Sequence, residues 1–135
     1  MNSMMDKLGL LLGRFLLALI FVISGFGKVV HFGDTASMMA GAGIPLAKVA
    51  LVFTILIELG GGLLLITGFG VRYIALIMAL FMVPVTLIFH KFWGVPNPMH
   101  DMQMMHFIKN VAITGGLLVA AFSSRTISST QRTGG

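Results

Sequence analysis

The chain has 135 residues, of which 57% are hydrophobic and only 10% are charged. A soluble domain usually carries about 25% charged residues, so this composition excludes an ordinary water-soluble globule. The net charge of +5 is scattered rather than gathered in one basic run, which argues against a nucleic-acid partner. The absence of cysteine from the sequence excludes disulfides and thiol chemistry.

The apolar residues are collected in four runs, each close to the roughly 20 residues that a helix needs to cross a bilayer. In chain order, the predicted spans cover residues 8–27, 46–66, 71–89 and 107–122. The predicted fold is therefore an all-α transmembrane four-helix bundle over residues 1–122. Residues 123–135 are rich in Ser, Thr and Gly, and this composition predicts a disordered tail.

An even number of spans places both termini on one side of the membrane, which we call the terminal side, together with a tight turn at residues 68–70. The opposite side, which we call the loop side, holds two long connections, 28–45 and 90–106. Basic residues are divided almost evenly between the two sides, and Arg14 favours cytoplasmic termini. Arg14 also interrupts the first apolar run, which argues against a cleaved signal peptide there.

Two charged residues, Arg14 and Glu58, lie inside predicted spans, where an unpaired charge costs about 2.5–3.5 kcal/mol on insertion scales. From the helical rise, Arg14 is expected about 9 Å and Glu58 about 12 Å from the terminal side. Similar depth on neighbouring antiparallel helices predicts an intramembrane pair. Such a pair can simply fix which helices touch, or it can handle a proton or a ligand.

Polar residues gather toward the loop side at the ends of the spans. The candidate ligand pocket consists of Lys28, His90, Lys109 and Asn110, whose donors suit an anion or the carbonyl head of a quinone. The alternative is that the lysines extend to the lipid headgroups and the histidine lies at the interface without a ligand.

Four methionines and two histidines occur within the eight residues 99–106. Thioether and imidazole ligands suit Cu(I), so this tract is a candidate metal site. Its members are Met99, His100, Met102, Met104, Met105 and His106. Because the chain contains 11 methionines, chance enrichment is the favoured explanation of the tract.

Taken together, several short segments resemble the DoxX family of small bacterial membrane proteins. The segments are residues 13–21 (GRFLLALIF), 24–28 (SGFGK), 43–45 (GIP), 58–62 (ELGGG), 68–72 (GFGVR), 89–90 (FH), 107–110 (FIKN) and 115–118 (GGLL). The resemblance implies a four-span inner-membrane protein with cytoplasmic termini. It also implies a role as an accessory membrane subunit of a quinone-linked or redox-stress system, with redox enzyme subunits as partners.

Phosphate-binding loops, dinucleotide fingerprints and nucleophile elbows are absent from the sequence, so a self-sufficient enzyme is not predicted. Two alternatives to the redox subunit stay open. One is a structural or assembly membrane protein without a small ligand, and the other is copper handling through residues 99–106. Beyond the lipid bilayer, the sequence is compatible with redox partners or a homo-oligomer, and a quinone is the one cofactor it suggests.

Overall fold

The computed structural model describes the backbone of residues 3–133 and the side chains of residues 3–123. Within that part the chain forms five helices and no strand. They are α1 (Met4–Val30), α2 (Phe32–Gly41), α3 (Ala47–Thr67), α4 (Val71–Phe89) and α5 (Met99–Thr133). In α1, α3, α4 and the Met99–Ser123 part of α5, length and apolar composition suffice to cross a membrane, which confirms the predicted four-span bundle.

The first helix begins four residues before the predicted span because its start is set by a polar cap. Ser3 Oγ accepts a hydrogen bond from the backbone N–H of Asp6, and the Asp6 carboxylate accepts one from the backbone N–H of Ser3. This capping box satisfies two backbone donors that a helix start leaves open. As a result, α1 is 27 residues long and extends beyond the apolar run.

The connection after α1 contains a helix that the sequence analysis does not predict. Helix α2 packs on the loop-side half of α3, where Ala36 and Met39 bury their side chains against Leu51. Its ten residues are too few to span a membrane, and small residues make its apolar periodicity weak. Helix α2 therefore covers the loop side of the bundle.

The third and fourth helices form an antiparallel hairpin around a tight glycine turn. Gly68 and Gly70 have φ angles of +83° and +62°, in the left-handed region that disfavours residues with a β-carbon. Within α3, residues Leu56–Gly60 form one π-helical turn, which carries Glu58. Such turns occur frequently at functional sites.

Small residues line the contacts between α1, α3 and α4. A β-carbon on Gly62 would lie 2.7 Å from Val22 of α1, and one on Gly61 would lie 2.7 Å from Met78 of α4. These glycines let the helix backbones approach closely, as is common in membrane bundles. The core around them is formed by Ala18, Phe21, Leu65, Ala75, Met78, Leu117 and their neighbours.

The outside of the bundle is apolar. Phe26, Tyr73, Leu80 and Val119 are 63%, 71%, 75% and 67% exposed. Apolar side chains facing outward along four long helices indicate that lipid surrounds them.

On the loop side, Trp93 meets Phe92 and Phe107 edge to face, with ring centroids 5.3 and 5.9 Å away, respectively. Trp is enriched in membrane proteins at the membrane–water interface, where lipid acyl chains and headgroups meet.

The fifth helix differs most from its predicted bounds. It begins at Met99 directly after Pro98, whereas the predicted span begins at residue 107. The tract 99–106 is therefore two turns of helix rather than a loop, because Met and Gln are good helix formers. The backbone of α5 continues to Thr133, and the side chains beyond residue 123 lie outside the described part, so disorder of residues 123–135 stays a prediction.

Candidate functional site

A buried ion pair between α1 and α3 forms the centre of the site. Lys28 Nζ donates to both carboxylate oxygens of Glu58 at 3.1 Å and to Ser24 Oγ at 2.6 Å. The Glu58 side chain is 7% exposed and that of Lys28 is 25% exposed. Three donor hydrogens on one ammonium thus satisfy three acceptor atoms on two helices.

The predicted partner of Glu58 was wrong. Glu58 pairs with Lys28, and Arg14 lies instead beside Gly68, where a β-carbon would be 2.9 Å from Nη2 of the arginine. The error concerns the register between α1 and α3. Arg14 lies at the level of Gly68, whereas Glu58 is ten residues before Gly68, or about 15 Å away along α3. Hydropathy places each residue along its own helix but does not determine the register between α1 and α3, which the close approach of Gly25 to Glu58 sets.

Local packing explains why Lys28 reaches Glu58. A β-carbon on Gly25 would lie 3.1 Å from Cβ of Glu58 and 2.8 Å from Cγ of Leu59, so only glycine allows α1 to cross α3 at this height. Lys28 lies nearly one turn further along α1, and its flexible stem bends back toward the carboxylate. The π-helical turn Leu56–Gly60 carries that carboxylate at the crossing.

A second polar group faces the ion pair from α4 and α5. His90 Nδ1 and Gln103 Oε1 are 3.1 Å apart, and the rings of His90 and His106 are tilted with centroids 5.1 Å apart. Because an amide oxygen only accepts, Nδ1 of His90 is the donor in this bond. A neutral His90 therefore keeps Nε2 as an acceptor for another group.

These two groups line a cavity of about 380 Å³. Its lining surface is mostly apolar. The polar or ionisable lining residues are Lys28, Thr35, Thr54, Glu58, His90, Gln103 and His106. A smaller cavity of about 150 Å³ shares Lys28, Glu58 and His90 and adds Ser24 and Asn110. A largely apolar pocket with a few convergent polar groups is typical of small-molecule sites.

The structure brings three of the four residues of the predicted pocket to these cavities. Lys28, His90 and Asn110 line the two cavities, whereas Lys109 is exposed and is not among their lining residues. Gln103, His106 and Asn110 follow each other at spacings of three and four, which places them on one face of α5. Lys109 is one residue from Asn110 and therefore points about 100° away from that face.

The methionine and histidine tract does not converge on one point. Met99, Met102 and Met105 are 47%, 48% and 50% exposed, and His100 pairs with Asp101 at 3.1 Å. Met102 and His106 line the larger cavity, and Met104 is half-buried. In the part of the chain that the structure describes, no group of three or more His, Cys, Asp or Glu side chains is placed to hold a metal ion. Copper binding through thioethers stays a prediction.

Ser24 and Gln103 were not predicted as site residues, and Glu58 was not predicted to line the pocket. Both missed residues carry a spacing signal. Ser24 precedes Lys28 by four residues, and Gln103 precedes His106 by three, so each pair shares one helix face. The involvement of Glu58 depends on helix register, for which the sequence gives no local signal.

Comparisons with known proteins agree with this architecture. The DoxX family model matches residues 9–91. The inner membrane protein YphA of Escherichia coli K12 is 31% identical over 114 residues, which cover 84% of this chain and 81% of the relative. The inner membrane protein YqjF of the same organism is 33% identical over 119 residues, which cover 88% of this chain and 86% of the relative. No solved structure is significantly similar to the chain. From the family match, the relatives and the four apolar spans, the chain belongs to the DoxX family of integral inner-membrane proteins.

Proposed function

We propose that this protein is an accessory membrane subunit of a quinone-linked redox system, and that its loop-side cavity binds the quinone head. The observation that carries the proposal is the cavity of about 380 Å³ in which Lys28, Glu58, His90 and His106 meet apolar walls. The volume falls within the roughly 300–1,000 Å³ of typical small-molecule pockets.

The lining matches the two chemical parts of a quinone. Phe81, Val85 and Phe89 of α4 offer apolar and aromatic contacts for a ring and its chain. The ammonium of Lys28 and the imidazole of His106 offer hydrogen-bond donors for carbonyl oxygens, and Nε2 of His90 offers an acceptor for a quinol hydroxyl. Because the cavity is open to the surface, a lipid-soluble molecule can enter it without unfolding a helix.

The polar groups also suit the protons that accompany quinone reduction. A quinone that takes up two electrons takes up two protons to become a quinol. In the proposed role, a partner redox enzyme supplies the electrons, while His90 and the Lys28–Glu58 pair hold or pass protons at the carbonyl oxygens. This division of work makes the chain an accessory subunit.

Orientation is part of the proposal. With cytoplasmic termini, the cavity lies toward the outer surface of the inner membrane, because it is lined from the loop side by α2 and the start of α5. Phe69→Cys, at an exposed position of the tight turn, is then labelled only from the cytoplasm. Lys91→Cys, at an exposed position after α4, is labelled from the outer side, and the sequence contains no cysteine of its own to interfere.

The decisive experiment measures binding of decylubiquinone to the purified protein in lipid nanodiscs. Saturable binding by the wild type and a loss of affinity of about tenfold or more in His106→Leu are expected, since a lost hydrogen bond to a charged or polar group costs about 1.5 kcal/mol. Lys109→Ala is the matched control on the same side and should bind normally. Absence of saturable binding by the wild type would remove the proposal.

A structural or assembly role is the second candidate, and one observation favours it. The Lys28–Glu58–Ser24 contacts join α1 to α3, and buried polar contacts of this kind can serve to fix helix register alone. Under this role, Lys28 and Glu58 variants lose stability, whereas His90→Leu and His106→Leu are stable and have no binding phenotype.

A further inference from the structure

Arg14 is a charged residue of the bundle that the proposed quinone site does not use. It is half-buried, its Nε atom is shielded from solvent, and Nε has no hydrogen-bond partner among the described residues. Its guanidinium lies against Gly68 at the tight turn between α3 and α4. A cation at the edge of a membrane needs an anion or water to offset its burial.

The acidic side chains of the chain are engaged or located elsewhere. The sequence has four, all within the described part. Glu58 pairs with Lys28, and Asp101 contacts His100. Asp34 lies in α2 on the loop side, and Asp6 caps the start of α1, eight residues or about 12 Å from Arg14. The counter-anion of Arg14 is therefore not a side chain of the described bundle.

The depth of Arg14 indicates where that anion comes from. Helix α3 has 21 residues, or about 31 Å, which matches a hydrocarbon layer of about 30 Å. The turn at Gly68 then lies at the terminal-side boundary of the hydrocarbon, where lipid phosphates begin. The guanidinium beside Gly68 is at the same level, and arginine side chains in helices lean toward the helix N-terminus, here the terminal side.

We propose that Arg14 binds the phosphate group of a membrane phospholipid on the terminal side, next to the Gly68 turn. The planar fork of a guanidinium matches two phosphate oxygens better than a lysine ammonium does. Lys7 and Arg72 add positive charge on this side against the single described acid there, Asp6, which favours an anionic headgroup. This inference does not depend on the quinone site.

The test uses the delipidated, detergent-purified protein and short-chain phosphatidylglycerol. Wild-type protein should gain thermal stability and retain a lipid adduct in native mass spectrometry. Dioctanoylglycerol, which has acyl chains but no phosphate, should do neither. Arg14→Gln should weaken the lipid affinity about fivefold or more, in line with one basic residue at a charged membrane surface. Arg72→Gln, which removes a half-buried arginine on the same side, is the matched control and should have a smaller effect.

Arg14→Lys is the second variant, to be used if Arg14→Gln does not fold. It keeps the positive charge but removes the planar guanidinium. A lipid affinity below that of the wild type supports contact between the guanidinium and the phosphate. Equal losses in Arg14→Gln and Arg72→Gln would mean unspecific attraction and overturn the site. Stabilisation by inorganic phosphate as strong as that by phosphatidylglycerol would overturn the lipid assignment and leave a soluble phosphate as the ligand. A wild-type protein indifferent to phosphatidylglycerol would overturn the proposal.

Discussion

Gly25 of α1 and Glu58 of α3 face each other so closely that a β-carbon on the glycine would lie 3.1 Å from Cβ of the glutamate. This approach sets the height at which the two helices cross. It also sets which basic residue meets the carboxylate, because Lys28 is three positions further along α1. The ion pair in the cavity therefore depends on a residue that has no side chain.

Replacing Gly25 with alanine should destabilise the bundle by about 1–3 kcal/mol, the usual cost of overpacking a well-packed contact. The added methyl group would meet Leu59 Cγ at 2.8 Å. Gly27→Ala is the matched control, since a β-carbon there has no neighbour within 4 Å. Thermal unfolding in one detergent measures both variants, and similar stabilities for the two would contradict the close crossing.

Removing Lys28 and removing Glu58 should lower the stability of the bundle by different amounts. Lys28→Met leaves the Glu58 carboxylate, 7% exposed, without its cation and should cost about 3 kcal/mol. Glu58→Gln should cost less, because Lys28 is 25% exposed and its stem can turn toward the headgroups.

The double variant Lys28→Met/Glu58→Met should recover much of the loss, since it leaves no unpaired charge. A double-mutant cycle on the unfolding free energy measures the coupling. Additive losses in the cycle would argue that the two residues act independently of each other.

Alanine substitutions at the two glycines of the tight turn can distinguish the stability cost of a clash with Arg14 from the cost of backbone strain. Gly68→Ala and Gly70→Ala both place alanine in the left-handed region, at a cost of about 1–2 kcal/mol each. A β-carbon at Gly68 would also meet the Arg14 guanidinium at 2.9 Å, whereas one at Gly70 meets nothing within 4 Å. Gly68→Ala should therefore be the more destabilising, and Arg14→Gln should reduce the difference between them.

Filling the larger cavity should prevent ligand binding without unfolding the protein. Val85 lines both cavities, so Val85→Phe should lower decylubiquinone affinity about tenfold or more by occupying the space for the ring. Leu80→Phe on the same helix is the control, because Leu80 is 75% exposed on the outer surface. Unaltered affinity in Val85→Phe would place the quinone elsewhere.

The sequence was sufficient for most of the fold. Predicted spans 46–66 and 71–89 agree with Ala47–Thr67 and Val71–Phe89 within one residue, because continuous apolar runs end there at glycine or polar residues. The starts of α1 and α5 were wrong because capping by Ser3 and helix propensity after Pro98, rather than hydropathy, determine them. The short helix α2 was not predicted because its apolar periodicity is too weak.

The candidate site could be predicted only where residues lie at the ends of spans. Lys28, His90 and Asn110 line the cavities, as the convergence of span ends predicts. The mistaken Arg14–Glu58 pair and the inclusion of Lys109 have different causes. The first depends on the register between two helices, which is fixed by Gly25 and not by hydropathy. The second depends on the rotation of α5, which the spacing of Gln103, His106 and Asn110 determines.

The position of Trp93 gives this protein a built-in optical reporter. Trp93 is the single tryptophan, and its neighbours Phe92 and Phe107 adjoin the end of α4 and the first turns of α5, which also bear His90 and His106. Indole emission therefore comes from one known place on the loop side. Any rearrangement of α4 against α5 there should change its wavelength and intensity, so movement in the bundle can be followed in solution without attaching a dye.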